Sequence, residues 1–179
     1  MLDLARVFSA IDSVNANDPN TVDWFGVAVA RALIQGQRAS YWLDRLQPDA
    51  SEALQIAVRG HHIRRWAIGR SSYPEGRPGY LRWRRDLKKL HADELAALVE
   101  PLGGDAELIA RVGDLVQRIG LGTDPEAQTV EDAACLVFME TDYVALKARL
   151  GEPKTADAVA KTLKKMSPEA IALIPETTS

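Results

Sequence analysis

The sequence predicts an all-α fold, because apolar residues recur at spacings of three and four along most of its 179 residues. No convincing alternation of apolar and polar residues marks a strand. Capping residues and Gly/Pro breaks divide the chain into about seven or eight helices. A hydrophobic content of 46% is enough for one continuous core. We therefore predict a single compact helical domain over residues 1–176, with residues 177–179 frayed at the C-terminus.

The N-terminal half of the chain is predicted to form three helices separated by loops. The first ends before Pro19, Thr21 can cap the second, and Pro48 ends it. Asp49 and Glu52 form a capping-box-like start for the third. These helices are predicted over about 2–14, 21–46 and 50–66.

The C-terminal half is predicted to form the remaining helices. Asp105 can cap one of them, and Asp124 with Pro125 supplies a cap and a first-turn proline for another. Three long helices are predicted over about 80–100, 105–119 and 124–150. Two short helices are predicted to follow, starting at Thr155 and Ser167.

Positive charge is concentrated in one segment, Arg59–Lys89, which we call the basic segment. It holds ten of the 22 Lys/Arg residues and only two of the 25 acids, although the whole chain has a net charge of -3. Two of the three histidines lie in it, and the third follows at position 91. Guanidinium groups and two nearby tryptophans suit a ligand that carries phosphate. The segment therefore predicts an anion site.

Cysteine content, the N-terminal residues and the length of the apolar runs exclude several classes of protein. The single Cys135 excludes an internal disulfide and a cysteine-based zinc cluster. The N-terminus lacks the charged start and unbroken apolar run of a signal peptide. No apolar run approaches the roughly 20 residues that span a bilayer. We therefore predict a cytoplasmic protein without membrane insertion.

Two adjacent histidines and two arginines stand together in the sequence HHIRRW. The predicted helix would present His61, His62, Arg64 and Arg65 within one turn, next to Trp66. Imidazole can bind a metal or move protons near neutral pH, and paired arginines can hold phosphate or carboxylate oxygens. Alternatively, each histidine is a hydrogen-bonded residue at the edge of the core. The residue types alone leave both interpretations open.

Two carboxylates, Glu131 and Asp132, precede seven consecutive apolar residues at Ala133–Met139. A helix with such a run is predicted to be buried almost all round, so these acids are candidate metal ligands or bases in a polar cavity. Alternatively, these acids stabilise the helix from its second turn, because negative charge near the N-terminus interacts favourably with the helix dipole. Glu140 is predicted to pair with an arginine, and Cys135 to be a small core residue.

The helix that begins near Tyr80 is predicted to be amphipathic. Arg82 and Arg85 lie on its basic side, which can face a ligand or RNA, or simply water. His91 lies further along and can turn toward His62, although a single histidine on a helix is more often structural.

Several consecutive motifs resemble one known family. The runs HHIRRW at 61–66, RSSYP at 70–74, GYLRWRRDLKKLH at 79–91 and EDAACLVFME at 131–140 are similar to the bacterial and fungal family called domain of unknown function 4202. The resemblance covers about residues 2–166 and implies no settled activity. The family pattern often reads QHIRRW, which implies that His62 is its regular histidine and that His61 departs from it.

A looser resemblance is to the His-Asp (HD) domain metal-dependent phosphohydrolases, which are all-helical. It implies an HD-like fold and a divalent metal held by His61, His62, His91 and Asp132. In this chain the pair His61-His62 stands where that family has His-Asp, and the upstream histidine expected within Arg31–Leu46 is absent. The resemblance therefore implies an altered metal site.

The first functional hypothesis is a metal-dependent hydrolase of a phosphorylated small molecule or nucleotide. Its catalytic residues would be His62, Glu131 and Asp132. Its substrate-binding residues would be Arg64, Arg65, Trp66, Tyr80, Arg82 and Arg85.

Two other hypotheses do not require catalysis. In one, the basic segment binds RNA, a nucleotide or an acidic protein surface. In the other, the protein is a helical scaffold whose basic band pairs with its own acidic exterior or with a second copy in a homo-oligomer. Salt dependence distinguishes RNA binding, which involves several phosphates, from a small buried site.

Overall fold

The computed structural model describes residues 2–174, so the predicted fraying of residues 177–179 lies outside the described residues. Over residues 2–174 the fold is all-α apart from one short β-hairpin, which confirms the predicted fold class. The helices are α1 (Leu4–Asn15), α2 (Arg31–Leu46), α3 (Glu52–Arg59), α4 (Gly76–Val99), α5 (Ala106–Gln117), α6 (Pro125–Val137), α7 (Tyr143–Leu150), α8 (Glu152–Leu163) and α9 (Pro168–Ala172). The hairpin pairs β1 (Thr21–Trp24) antiparallel with β2 (Val27–Ala30).

The hairpin corrects the prediction of a helix over 21–46. The segment TVDWFGVAVA is rich in β-branched and aromatic residues, which favour strands. The turn residues Phe25 and Gly26 have φ angles of 51° and 80°, and two-residue hairpin turns require such positive values. Asp18 accepts a hydrogen bond from the N–H of Ala32 at 3.0 Å, so α2 begins only after the hairpin.

One continuous hydrophobic core is centred on α3, which packs against α1, α2, α5 and α6, while α4 packs along α5. Large side chains from most of these helices are fully buried: Trp42, Leu54, Ile56, Leu95, Leu115 and Leu136. Each contributes about 1.5–3 kcal/mol by burial. This core fixes the relative positions of α2, α4 and α6, the helices that carry the functional site.

Helix α3 ends at Arg59, which corrects the prediction of a helix over 50–66. Gly60 follows it and packs so closely on α4 that a Cβ there would collide with the Leu95 side chain. The chain then turns, with Arg64 in the left-handed region at φ 48°. HHIRRW is therefore not one helical turn, and Arg64 points outward to Glu94 while the histidines face inward.

The helix predicted over 124–150 is interrupted by a π-helical turn at Phe138–Asp142. A π turn inserts an extra residue and rotates the side chains that follow, and such turns are frequent at functional sites. Here Asp142 lies toward α2, where it contacts Gln35.

Three of the six predicted helix caps are confirmed by hydrogen bonds, and at the start of α3 the cap is Ser51, not Asp49. Asp105, Asp124 and Ser167 cap α5, α6 and α9, whereas α8 begins at Glu152, one turn before Thr155. No helix within residues 2–174 is long and apolar enough to cross a membrane.

Candidate functional site

A polar cavity of about 240 Å³, which we call the central cavity, lies between α2, α6, α8 and the segment after α3. Five cationic side chains line it, together with two carboxylates and the imidazole of His62. The cations are Arg31, Arg65, Arg84, Arg118 and Lys165, and the carboxylates are Glu131 and Asp142. The fold thus gathers cations that are far apart in the sequence around one small space.

Two of these arginines, Arg65 and Arg84, form no ion pair with a carboxylate among the described residues, although Asp142 attracts Arg65 from beyond ion-pair distance. Arg84 makes no ion pair or hydrogen bond within residues 2–174, and Arg65 only stacks over Trp83, with Cζ 5.1 Å from the ring centre. Burial and the neighbouring Arg84 lower the pKa of Arg65 from 12.5 to about 10. Arg31 adds a buried Nε that has no hydrogen-bond partner in the described part of the chain. Because cations that are partly removed from water without an ion-pair partner are costly, Arg65 and Arg84 favour an anionic ligand in the cavity.

Glu131 has two cationic partners at the edge of the central cavity. Arg118 Nε lies 3.3 Å from its Oε2, and Lys165 Nζ lies 3.6 Å from its Oε1. Burial opposes ionisation of Glu131 most strongly, but Arg118 and Lys165 outweigh it and hold the pKa of this carboxyl below its usual value. The structure thus places Glu131 as the anion that orients two of the cavity's cations.

Hydrogen bonds fix the orientation and the proton of His62. Gln35 Nε2 donates to Asp142 Oδ2 at 2.7 Å, so Gln35 Oε1 is free to accept from His62 Nδ1, which lies 2.8 Å away. Nδ1 therefore carries the proton, and Nε2 is the unprotonated nitrogen. Burial, followed by the proximity of the titratable His61 and of the Arg65 guanidinium, lowers the pKa of His62 well below 6.5. The central cavity thus presents a neutral proton acceptor among cations.

His61 and His91 lie next to His62, with ring centres 4.1 Å and 6.2 Å from it. Their Nδ1 atoms lie 2.9 Å from Val58 O and 2.7 Å from Ile63 O, so both rings donate to backbone carbonyls. Burial lowers the pKa of each from 6.5 to about 3. Both are therefore neutral core residues behind His62, in agreement with the alternative interpretation of the histidines.

The described residues do not assemble the predicted metal site. Asp132 Oδ1 accepts hydrogen bonds from Gln128 Nε2 and from the N–H of Ser167, both at 2.9 Å, so it anchors the start of α9 and does not line the central cavity. No group of three His, Cys, Asp or Glu side chains within residues 2–174 could hold a metal ion. The surrounding arginines would also repel a divalent cation. The donor set that the looser resemblance implies is therefore not formed by its four residues, His61, His62, His91 and Asp132.

The residues predicted to bind substrate divide between the inside and the outside of the protein. Arg65 lines the central cavity. Arg64 instead pairs with Glu94 on the surface, with 2.9 Å between Nη1 and Oε1. Trp66 and Arg82 do not line the central cavity.

Tyr80 and Arg85, the other two predicted substrate-binding residues, line a different space. This is a groove of about 580 Å³ between the first half of α4 and residues 117–121, which we call the outer groove. Arg85 is largely exposed there and pairs with Asp86 at 2.9 Å.

Sequence reasoning missed six charged or amide residues that line the central cavity: Arg31, Gln35, Arg84, Arg118, Asp142 and Lys165. For Arg84 a signal was present, because Lys88 and His91 follow it by four and seven residues and share its helical face. Arg31 and Gln35 are likewise one helical turn apart. Nothing local in the sequence marks the other three, since only tertiary packing brings them to the cavity.

No curated protein and no solved structure matches the chain. A family model described as "Domain of unknown function (DUF4202)" matches residues 5–179. That match agrees with the resemblance seen in the four sequence motifs and implies no activity, so the function must be argued from the site. On this match, which covers almost the whole length, the chain belongs to the DUF4202 family of domains of unknown function.

Proposed function

We propose that the protein binds a phosphorylated small molecule or nucleotide, with the phosphoryl group in the central cavity, and hydrolyses it. The observation that carries this proposal is the pair Arg65 and Arg84, which line the cavity and form no ion pair with a carboxylate among residues 2–174. Guanidinium groups present a planar fork of N–H donors that matches phosphate oxygens. A volume of about 240 Å³ suits a phosphoryl or diphosphoryl group.

In this proposal His62 is the proton acceptor. A water oxygen forms a bond to phosphorus while the bond from phosphorus to the leaving oxygen breaks. His62 Nε2 takes the water proton, and the leaving oxygen takes a proton from solvent. The arginines stabilise the negative charge on the phosphoryl oxygens. A bound anion raises the pKa of His62, because opposite charge favours the protonated imidazole.

No step of this proposal uses a metal ion. The divalent metal and the HD-like chemistry implied by the looser resemblance stay predictions, which the described donor set does not support. A cytoplasmic location, a homo-oligomer and an acidic protein partner also stay predictions from the sequence.

A pair of matched variants tests the anion site. We expect calorimetric titration with inorganic pyrophosphate to show binding by the wild-type protein and at least tenfold weaker binding by Arg84→Gln, since a charge-assisted hydrogen bond contributes about 1.5–3 kcal/mol. Arg82→Gln, an exposed control two residues earlier on α4, should bind like the wild type. Equal affinities in the two variants, or no binding by folded wild-type protein, would contradict the proposal.

RNA binding is a second candidate function, and it is favoured by the outer side of α4. Arg77 and Arg82 are exposed there and have no ion-pair partner among the described residues, and Tyr80 offers a ring for base stacking. RNA held by several phosphate contacts would dissociate steeply with added salt. The same variants separate the candidates, because RNA binding should weaken in Arg82→Gln and pyrophosphate binding in Arg84→Gln.

A further inference from the structure

The outer groove adjoins the central cavity. Arg84, Glu131 and Lys165 line both spaces. A ligand whose phosphoryl group lies in the central cavity can therefore extend past these three side chains into the groove. The groove has more than twice the volume of the cavity, about 580 Å³ against about 240 Å³, so it has room for a larger part of the same ligand.

Large apolar side chains are exposed together in the outer groove. The exposed fractions are 45% for Tyr80, 53% for Leu81, 53% for Ile119 and 45% for Leu121. They come from two sides, the first half of α4 and the turn after α5. Exposed apolar residues that converge on one concave surface indicate a ligand surface.

Polar groups are interspersed with these apolar side chains. Arg85 and Lys88 stand on the α4 side of the groove, and Gln117 adds an amide from the end of α5. Planar guanidinium and phenol groups stack on flat aromatic rings, and an amide can bind the polar edge of a base. Gln117 Nε2 already donates to Gly113 O at 3.1 Å, so its amide oxygen is the group that can accept from a ligand. An alkyl chain would cover this oxygen and the Lys88 ammonium without offering them a hydrogen-bond partner. The lining therefore suits a flat, amphipathic group better than a lipid tail.

We propose that the outer groove binds the nucleoside part of a nucleotide whose phosphates occupy the central cavity. This names the substrate class of the proposed function and rests on phosphate binding in the central cavity, but not on hydrolysis. Tyr80 and Arg85 are then base-contacting residues, and Arg84 with Lys165 spans the junction between base and phosphate.

Calorimetry with inorganic pyrophosphate and three organic diphosphates tests this assignment. We expect ADP to bind the wild-type protein at least tenfold more tightly than inorganic pyrophosphate, because stacking of a base on an aromatic ring strengthens binding by about this factor or more. Geranyl diphosphate, which carries an alkyl chain in place of the nucleoside, should bind no more tightly than pyrophosphate. UDP in parallel shows whether a pyrimidine is accepted.

Variants of the groove complete the test. Tyr80→Ala and Leu121→Ser should each remove most of the tighter binding of ADP and leave pyrophosphate affinity within about twofold of wild type. Phe25→Ala, which removes an exposed aromatic ring at the tip of the hairpin, is the matched control and should change neither affinity.

The possible outcomes separate this inference from the proposed function. If pyrophosphate binds but ADP binds no more tightly, or if geranyl diphosphate binds more tightly than ADP, the nucleoside assignment is wrong while the phosphate site stands. If neither pyrophosphate nor ADP binds, the proposed function fails and the nucleoside assignment fails with it.

Discussion

Hydrogen-bond partners give the three histidines different roles. His61 and His91 donate to backbone carbonyls inside the core, whereas His62 donates to Gln35, which is itself held by Asp142. All three rings leave Nε2 unprotonated, and of the three His62 is the one that lines the central cavity. The pair of adjacent histidines in the sequence predicted a site but could not show which ring reaches it.

Asparagine at position 62 tests whether His62 is the proton acceptor. In His62→Asn the amide nitrogen can replace imidazole Nδ1 as the donor to Gln35, but nothing replaces Nε2. We expect phosphate release from nucleoside 5′-monophosphates to fall at least about 100-fold, the usual contribution of a general base. Pyrophosphate affinity, measured on the same preparation, should stay within about threefold of wild type. An unchanged rate of phosphate release would rule out this role of His62.

At the scale of elements, Glu140 joins the π turn to α2. It accepts hydrogen bonds from Arg38 Nε at 3.0 Å and from Trp42 Nε1 at 2.9 Å. This confirms the predicted arginine partner of Glu140. Asp142 lies in the same π turn, so the contact also fixes the carboxylate that holds Gln35 and thereby His62.

Removal of this contact should destabilise the protein. Glu140→Ala leaves the Trp42 indole N–H without its partner and Arg38 without its counterion, which should lower the free energy of unfolding by about 2–4 kcal/mol. The control is Asp93→Ala, which breaks an exposed pair with Lys89 and should cost less than about 1 kcal/mol. Urea denaturation measures both values, and equal losses would show that Glu140 does not hold the π turn to α2.

At the scale of the whole molecule, the basic segment divides into two surfaces. Arg65 and Arg84 line the central cavity and Lys88 lines the adjoining outer groove, whereas Arg77 and Arg82 face solvent. Some cations of the basic segment therefore form part of an internal anion site, and others form a basic outer surface.

Burial of neutral histidines should make the stability of the molecule depend on pH. His61 and His91 have pKa values of about 3 in the folded protein and 6.5 in the unfolded chain, so the unfolded state binds more protons between these values. Stability is then complete above about pH 6.5 and falls as the pH decreases toward 3, by about 1.4 kcal/mol per pH unit for each histidine.

The variant His91→Asn isolates one of these contributions. Asparagine keeps a donor for Ile63 O but does not titrate. We expect the slope of unfolding free energy against pH, measured by urea denaturation between pH 6 and pH 4, to be about 1.4 kcal/mol per pH unit smaller than in the wild type. Carboxylates titrate in the same pH range and contribute equally to the slopes of both proteins. The difference between the two slopes therefore measures the contribution of His91. Identical slopes would show that His91 is not buried in its neutral form.

The sequence by itself determined the all-α class, most helix starts and the region of the site, because periodicity, capping and charge concentration are properties of neighbouring residues. It indicated His62 and Arg65 for the same reason. Only the tertiary structure decided that Arg118, Asp142 and Lys165 line one cavity with them and that Asp132 does not. A cavity is enclosed by residues far apart in the chain, and helix packing and the π turn, which no local pattern specifies, determine which of their side chains meet.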